Sequence, residues 1–168
     1  MKKIKYFVIA GSSGGHILPA IKYLNNLADI KDPNEILFIT NEIAESYLKK
    51  IKSNKINKIV LSSKNKLIFI FKIFFKTFLI FLLNKRITLV GFGGFITTPI
   101  LFISKLFNIF YFSSNRIYIH EQNIIYGLAN KINYLIVDNA FISFPKFKLR
   151  SKEIFVGNAF LDKNLTRG

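Results

Sequence analysis

The sequence predicts an α/β fold, a parallel β-sheet with helices on both faces, and three observations carry that expectation. Short apolar, partly β-branched runs recur between stretches whose apolar residues fall at helical spacing, the alternation that builds a sheet covered on both sides. The 168 residues suffice for one domain with a real core, burying roughly 70% of the unfolded chain's surface, and not for two. No internal repeat, linker or low-complexity tract divides residues 1–168, so they read as a single domain.

The elements follow in order. Lys5 to Ala10 is a strand ended by Gly11, and Ile17, Ala20, Ile21, Leu24 and Leu27 then mark a helix. Met1 to Gly11 has the basic start of a signal peptide, but its apolar run of about six residues is shorter than the usual hydrophobic region, so a first strand is the better reading. Ile36 to Thr40 is a second strand, followed by a helix from Glu42 to Lys50; Lys58 to Leu61 is a third strand leading into a long apolar helix from Lys66 to Asn84. Ile87 to Val90 is a fourth strand, then come a helix from Thr98 to Phe107 and a Ser- and Asn-rich loop from Asn108 to Asn115. Arg116 to Ile119 is the next strand, Ile124 to Leu135 a helix, and Ala140 to Ser143 and Ile154 to Val156 are closing strands.

Composition narrows the chemistry. The 25 basic residues, 21 of them Lys, against nine acidic ones give a net charge of +16 and point to an anionic partner: nucleic acid, a phosphorylated ligand or an acidic membrane surface. Abundant Lys, Asn, Ile, Phe and Tyr also fit a codon bias toward A and T, which accounts for part of that charge. The absence of Cys excludes disulfides, thiolate zinc sites and cysteine nucleophiles, and two His leave little for a metal site, so no metal and no cofactor are expected.

In a parallel sheet, ligands bind outside the carboxyl ends of the strands. Gly11 to His16 (GSSGGH), Gly91 to Phe95 (GFGGF) and His120 to Asn123 (HEQN) all stand there. Glycine at a strand-to-helix turn lets backbone N–H groups approach an anion closely, and the helix N-terminus favours negative charge, so a phosphate or diphosphate is the natural ligand. Tight packing is the other use of such glycines. The spacing is neither G-x-G-x-x-G nor a P-loop, Glu42 is a poor ribose-binding acid, and a dinucleotide site is therefore not expected. His16, at the start of the first helix, is placed to contact an anion or to act as a base, or else to cap or pack that helix. His120 is either a loop ligand or a buried ring that orients the loop. Glu121 offers proton transfer or sugar hydroxyl contacts, and Gln122 and Asn123 offer paired donors and acceptors suited to a sugar.

Leu67 to Leu83 is apolar except for Lys72 and Lys76, which share a helical face with Asn65. A membrane span would hold both lysines near the bilayer centre at roughly 2.5–3.5 kcal/mol each. An interfacial helix instead lets Lys72 and Lys76 reach anionic headgroups while Phe side chains such as Phe75 enter the acyl boundary. A core helix with snorkelling lysines is the competing reading.

Taken in order, AGSSGGHILPA (Ala10 to Ala20), VGFGGFITTP (Val90 to Pro99), HEQNIIYGLANK (His120 to Lys131), AFISFP (Ala140 to Pro145) and VGN (Val156 to Asn158) resemble the acceptor-side half of the MurG family. These are peptidoglycan enzymes that transfer N-acetylglucosamine onto a lipid-linked muramyl-pentapeptide. The resemblance implies a GT-B glycosyltransferase of two Rossmann-like domains, this chain supplying the first. It implies that Ser13, Gly14, Gly15, Gly91, Gly93 and Gly94 hold the acceptor's diphosphate. His16 is implied as the base for the muramyl 4-hydroxyl, with inversion, and Glu121, Asn123, His120 and Gln122 fall near the sugars, Asn123 also reaching the nucleotide sugar. Leaving-group charge is met by protein dipoles, so the step needs no metal.

Two departures stand against the pattern. Ala159, Phe160 and Leu161 replace the family's Pro, Val and donor-binding Arg after Gly157 and Asn158. The donor-binding domain is not contained in the 168 residues, so the chain alone is expected not to transfer sugar, whether it is half of a split enzyme or the product of an interrupted gene. The expected partners are an undecaprenyl-diphosphate-linked acceptor, an anionic membrane surface at the cytoplasmic face of the inner membrane, and a separate donor-domain subunit. UDP-N-acetylglucosamine joins them only where that domain is supplied. A non-catalytic membrane-anchoring subunit is the alternative. Nucleic acid is not expected, since charge alone suggests it and no recognition motif accompanies the charge.

Overall fold

The computed structural model describes residues 3–11, 13–62, 65–111 and 113–157. Strands β1 (Tyr6–Ile9), β2 (Ile36–Asn41), β3 (Asn57–Leu61), β4 (Thr88–Gly91), β5 (Arg116–Glu121), β6 (Asn139–Ile142) and β7 (Glu153–Phe155) alternate with helices α1 (Gly14–Ile30), α2 (Glu45–Leu48), α3 (Lys66–Leu83), α4 (Thr97–Phe110) and α5 (Leu128–Asn133). All neighbouring strands pair in parallel, in the order β3-β2-β1-β4-β5-β6-β7. This is the doubly wound Rossmann-like order with one further strand.

Strand periodicity assigns the two cores. Val8, Ala10, Ile36 and Phe38 point to the face where α1 lays down Ile17, Ala20, Ile21 and Leu24. Phe7, Ile9, Leu37 and Ile39 point the other way, onto Ile73 and Phe81 of α3 and Ile100, Leu101 and Phe107 of α4. Because β1 and β2 are buried on both faces, they read as unbroken apolar runs. Successive helices leave β1 and β4 for opposite faces, and the crevice between these neighbours is where the sheet opens to a ligand.

Three elements differ from expectation. The helix expected from Glu42 to Lys50 is a 3-10 turn, Glu42–Ala44, followed by the four-residue α2. Helix α4 runs three residues further, because Asn108 and Asn115 bridge its end reciprocally: Asn108 Nδ2 donates to the Asn115 carbonyl at 2.8 Å and Asn115 N donates to Asn108 Oδ1 at 2.9 Å. Helix α5 starts only at Leu128, since the residues before it wrap around the carboxylate of Glu121.

Helix α3 has two unlike sides. Phe69, Ile73, Ile80 and Phe81 are buried, and the buried polar groups Thr77 and Asn84 return hydrogen bonds to Ile73 O and Ile80 O at 2.7 and 2.8 Å. The opposite side exposes Ile68, Phe71, Phe74, Phe75, Leu79 and Leu83 beside Lys72 and Lys76. Lys72 turns back to donate to the Ser62 carbonyl at 3.2 Å. Among the described residues no helix is long and apolar enough to cross a membrane.

Candidate functional site

The carboxyl edge of the sheet brings three loops together. Phe92 N donates to Ile9 O at 2.8 Å and Gly11 N to Gly93 O at 3.3 Å, which ties the loop after β4 to the end of β1. Gly93 and Gly94 then adopt φ of +97° and +86°, a left-handed region open mainly to glycine. The Gly93 carbonyl also accepts from Thr97 Oγ1 at 2.7 Å, fixing the turn into α4.

His16 lies against this turn. A Cβ on Gly93 would stand 2.8 Å from its ring, so glycine is required both by conformation and by the imidazole. His16 Nδ1 is 2.9 Å from Gln122 Oε1, while Gln122 Nε2 donates to the Phe92 carbonyl at 3.0 Å. A carbonyl only accepts, so that contact orients the amide: its oxygen faces His16, and His16 Nδ1 must be the donor. In the neutral ring that bond selects the tautomer with its proton on Nδ1 and its lone pair on Nε2.

His120 has the opposite character. It is 7% exposed, packs on Phe92 with ring centroids 5.1 Å apart, and its nitrogens lie 3.3 Å from Gln122 Nε2 and from Ser143 Oγ. Burial lowers its pKa to about 4, against a smaller upward push from the Glu121 charge, so the ring is neutral at neutral pH. It orients Gln122 from beneath.

Glu121 is 1% exposed and its carboxylate is engaged on both oxygens. Oε1 accepts from Asn123 N at 2.9 Å and Asn123 Nδ2 at 3.1 Å; Oε2 accepts from Gly127 N at 3.1 Å and Asn130 Nδ2 at 3.0 Å. Four donors on one carboxylate make it the knot that shapes the loop. Asn123 is itself exposed, held by that knot.

His16, Gly93, Gly94 and Glu121 line one open cleft of about 430 Å3, with Phe95, Thr98, Leu128 and Asn130 forming much of the remaining wall. A Cβ on Gly15 would meet only the Ser13 hydroxyl, at an ordinary contact of 3.7 Å; Ser13, the α1 N-cap, makes no side-chain capping bond, and the first turn of α1 carries no acidic side chain. Gly14 and Gly91 are packing positions: a Cβ on Gly14 would meet Tyr47 Oη at 2.8 Å, and one on Gly91 would overlap the Thr97 methyl. Gly127, Asn130, Thr98 and Ser143 went unnoticed in the sequence. Only the Asn and Gly residues within ten positions after Glu121 signalled that its carboxylate would be wrapped. Asn158, Ala159, Phe160 and Leu161 lie outside the described residues.

A family model for the glycosyltransferase family 28 N-terminal domain matches residues 6–142. The chain belongs to glycosyltransferase family 28. Curated relatives include a UDP-N-acetylglucosamine–N-acetylmuramyl-(pentapeptide) pyrophosphoryl-undecaprenol N-acetylglucosamine transferase from Alkaliphilus oremlandii, 29% identical over 92% of this chain and 44% of the relative. One of the same name from Borreliella afzelii is 32% identical over 98% of the chain and 48% of its own length. The chain thus spans about half the length of the curated relatives it matches. Among solved structures, MurG from Acinetobacter baumannii superposes with a TM-score of 0.70 at 19% identity, over 90% of this chain and 45% of that one. UDP-GlcNAc 2-epimerase from Methanocaldococcus jannaschii gives 0.58 at 10% identity, over 84% and 40%. Both likenesses show the shared fold, and for the family 28 domain that fold is one half of a GT-B architecture.

Proposed function

We propose that this chain is the acceptor-binding half of a MurG-like transferase that moves N-acetylglucosamine from UDP to an undecaprenyl-diphosphate-linked muramyl-pentapeptide. The observation that carries the reading is the Phe92 carbonyl–Gln122–His16 chain, which selects the tautomer of the neutral His16 ring whose lone pair is on Nε2, at a glycine-lined cleft. His16 Nε2 takes the proton of the acceptor hydroxyl as its oxygen bonds to the anomeric carbon. The bond from that carbon to the UDP oxygen breaks, and UDP leaves with the electron pair, inverting the centre. The free end of α1 and the Gly93–Gly94 turn are suited to the acceptor's diphosphate through backbone N–H groups and the helix dipole. Gly14 and Gly91 serve this indirectly, by allowing close packing. Glu121 positions Asn123 and the loop, and His120 positions Gln122, without touching the reacting atoms.

The donor sugar is met by a second domain, continuous with this one or separate, and transfer requires it. The exposed side of α3, with Phe75, Lys72 and Lys76, seats the domain peripherally on the anionic cytoplasmic face of the inner membrane. That same surface would serve a non-catalytic anchoring subunit of a split transferase, and His16 distinguishes the two. Lipid-linked acceptor and labelled UDP-N-acetylglucosamine are incubated with the chain, with a donor domain, and with both. Product only in the mixture, lost with His16→Ala, is the expected result. Turnover by the chain alone, or a mixture indifferent to His16→Ala, sinks the reading.

A further inference from the structure

A second polar depression lies at the amino edge of the sheet, opposite the cleft. Arg86, just before β4, and Arg116, the first residue of β5, line a cavity of about 390 Å3 together with Thr88 and Ser114. The backbone that carries them is zipped: Ser114 N donates to Lys85 O at 2.8 Å, Arg116 N to Ile87 O at 2.9 Å, and Thr88 and Arg116 are register partners. Behind it, the buried Asn115 accepts from Ile87 N at 3.0 Å. Neither guanidinium has an acidic partner among the described residues. Two acids of this edge are engaged elsewhere, Glu35 with Lys5 at 2.7 Å and Asp138 with Ile117 N at 2.8 Å.

Helices α3 and α4 both end here, and their dipoles favour cations of any kind. That effect explains basic residues at this edge; it does not select arginine. In a chain with 21 Lys and four Arg, two of the arginines face one depression alongside two hydroxyl side chains. The guanidinium fork matches phosphate oxygens in a way an ammonium cannot.

We propose that this depression binds a phosphate group, held by the Arg86 and Arg116 forks with the Thr88 and Ser114 hydroxyls completing its hydrogen bonds. Leu83, Ile109 and Phe110 stand exposed at the ends of the two helices, so the phosphate of a lipid headgroup and that of a soluble compound both suit the chemistry. The site is separate from the cleft, and its failure would leave the transferase reading untouched.

The full chain, labelled with nitrogen-15, is titrated with inorganic phosphate. It is sedimented separately with phosphatidylcholine vesicles with and without phosphatidylglycerol. R86Q/R116Q is compared with K49Q/K58Q, which removes the same charge from exposed positions elsewhere. Phosphate is expected to shift the amides of Thr88, Ser114 and Arg116 saturably, with binding weakened about tenfold or more in R86Q/R116Q and unchanged in K49Q/K58Q. A matching selective loss of phosphatidylglycerol-dependent sedimentation assigns the site to a lipid; selective loss with phosphate alone assigns it to a soluble ligand. If R86Q/R116Q differs from K49Q/K58Q in neither arm, the proposal is overturned.

Discussion

The cleft at the carboxyl edge and the outer side of α3 are built on opposite principles. In the cleft, polar groups are buried and nearly every donor has one assigned acceptor: Glu121 takes four, and Gln122 links the Phe92 carbonyl to His16. On α3, large apolar side chains are exposed, and among the described residues Phe71 and Phe75 stack on each other, with ring centroids 6.4 Å apart. A region of the first kind depends on single atoms in fixed places, because each lost partner leaves a buried group unsatisfied. A region of the second kind works by summed area, and no one residue decides it.

Single-atom dependence is tested most severely at His16. With a donor domain supplied, His16→Ala is expected to lower kcat by about 10²- to 10⁴-fold, the usual contribution of a positioned base. Because His16 is only half-buried, its removal should leave the melting temperature nearly unchanged. Gln122→Ala releases the tautomer and should cost about tenfold in kcat with little change in KM. Equal loss of activity and of stability in His16→Ala would place this residue with the structural groups instead.

The next largest effect is on stability. Glu121→Ala leaves Asn130 Nδ2 and the Gly127 and Asn123 amides without their acceptor, and about 3–4 kcal/mol of unfolding free energy should be lost in a urea titration. Glu121→Gln, which keeps the shape and surrenders the charge and one acceptor, should recover less than half of that. If Glu121→Gln is as stable as the parent, the carboxylate is not the knot described above.

His120 tests the same region through pH. Its folded pKa, about 4, lies below the ordinary imidazole value near 6.5, so the unfolded chain binds the extra proton between those limits. The contribution is therefore complete above about pH 6.5 and declines as pH falls toward 4, by up to about 3 kcal/mol. Denaturant titrations across that window should show the decline in the parent, and His120→Asn should flatten it. A parent whose stability is level from pH 6.5 to pH 4 contradicts a buried neutral ring.

Much of this was legible in the sequence, unevenly. The alternation of strands and helices and the gathering of GSSGGH, GFGGF and HEQN at one edge follow from periodicity and the parallel-sheet rule, and the sheet order then brings their loops together. What those residues do to one another was not legible. Gly91 and Gly93 look alike in GFGGF, yet one makes room for Thr97 and the other for the His16 ring, a distinction only the third dimension supplies. For His120 the sequence leaves a loop ligand and a buried orienting ring both open, and burial decides between them. The short α5 was missed because a local helical pattern lost to a tertiary carboxylate that captured the amides before it.

The outer side of α3 should give the smallest single effects, and that smallness is its signature. Phe75 is 54% exposed and Phe71 67%, so Phe75→Ser should change folding stability by no more than about 0.5 kcal/mol, whereas Phe81→Ala, on the buried side of the same helix, should cost about 3–5 kcal/mol. Vesicle affinity should behave differently again. Each exposed Phe that enters the acyl boundary contributes on the order of 1.5–3 kcal/mol, so Phe75→Ser alone weakens binding about ten- to a hundredfold and Phe71→Ser/Phe75→Ser multiplies the effect. Lys72→Glu/Lys76→Glu should weaken binding only to anionic vesicles, and the difference should shrink with salt, since headgroup attraction is screened and apolar insertion is not. The three variants in one flotation series thus separate area from charge. Multiplicative loss across the Phe variants is the additive behaviour expected of a surface without assigned partners. If Phe75→Ser alone abolishes binding, α3 contains a specific site of the cleft's kind and the contrast between the two regions fails.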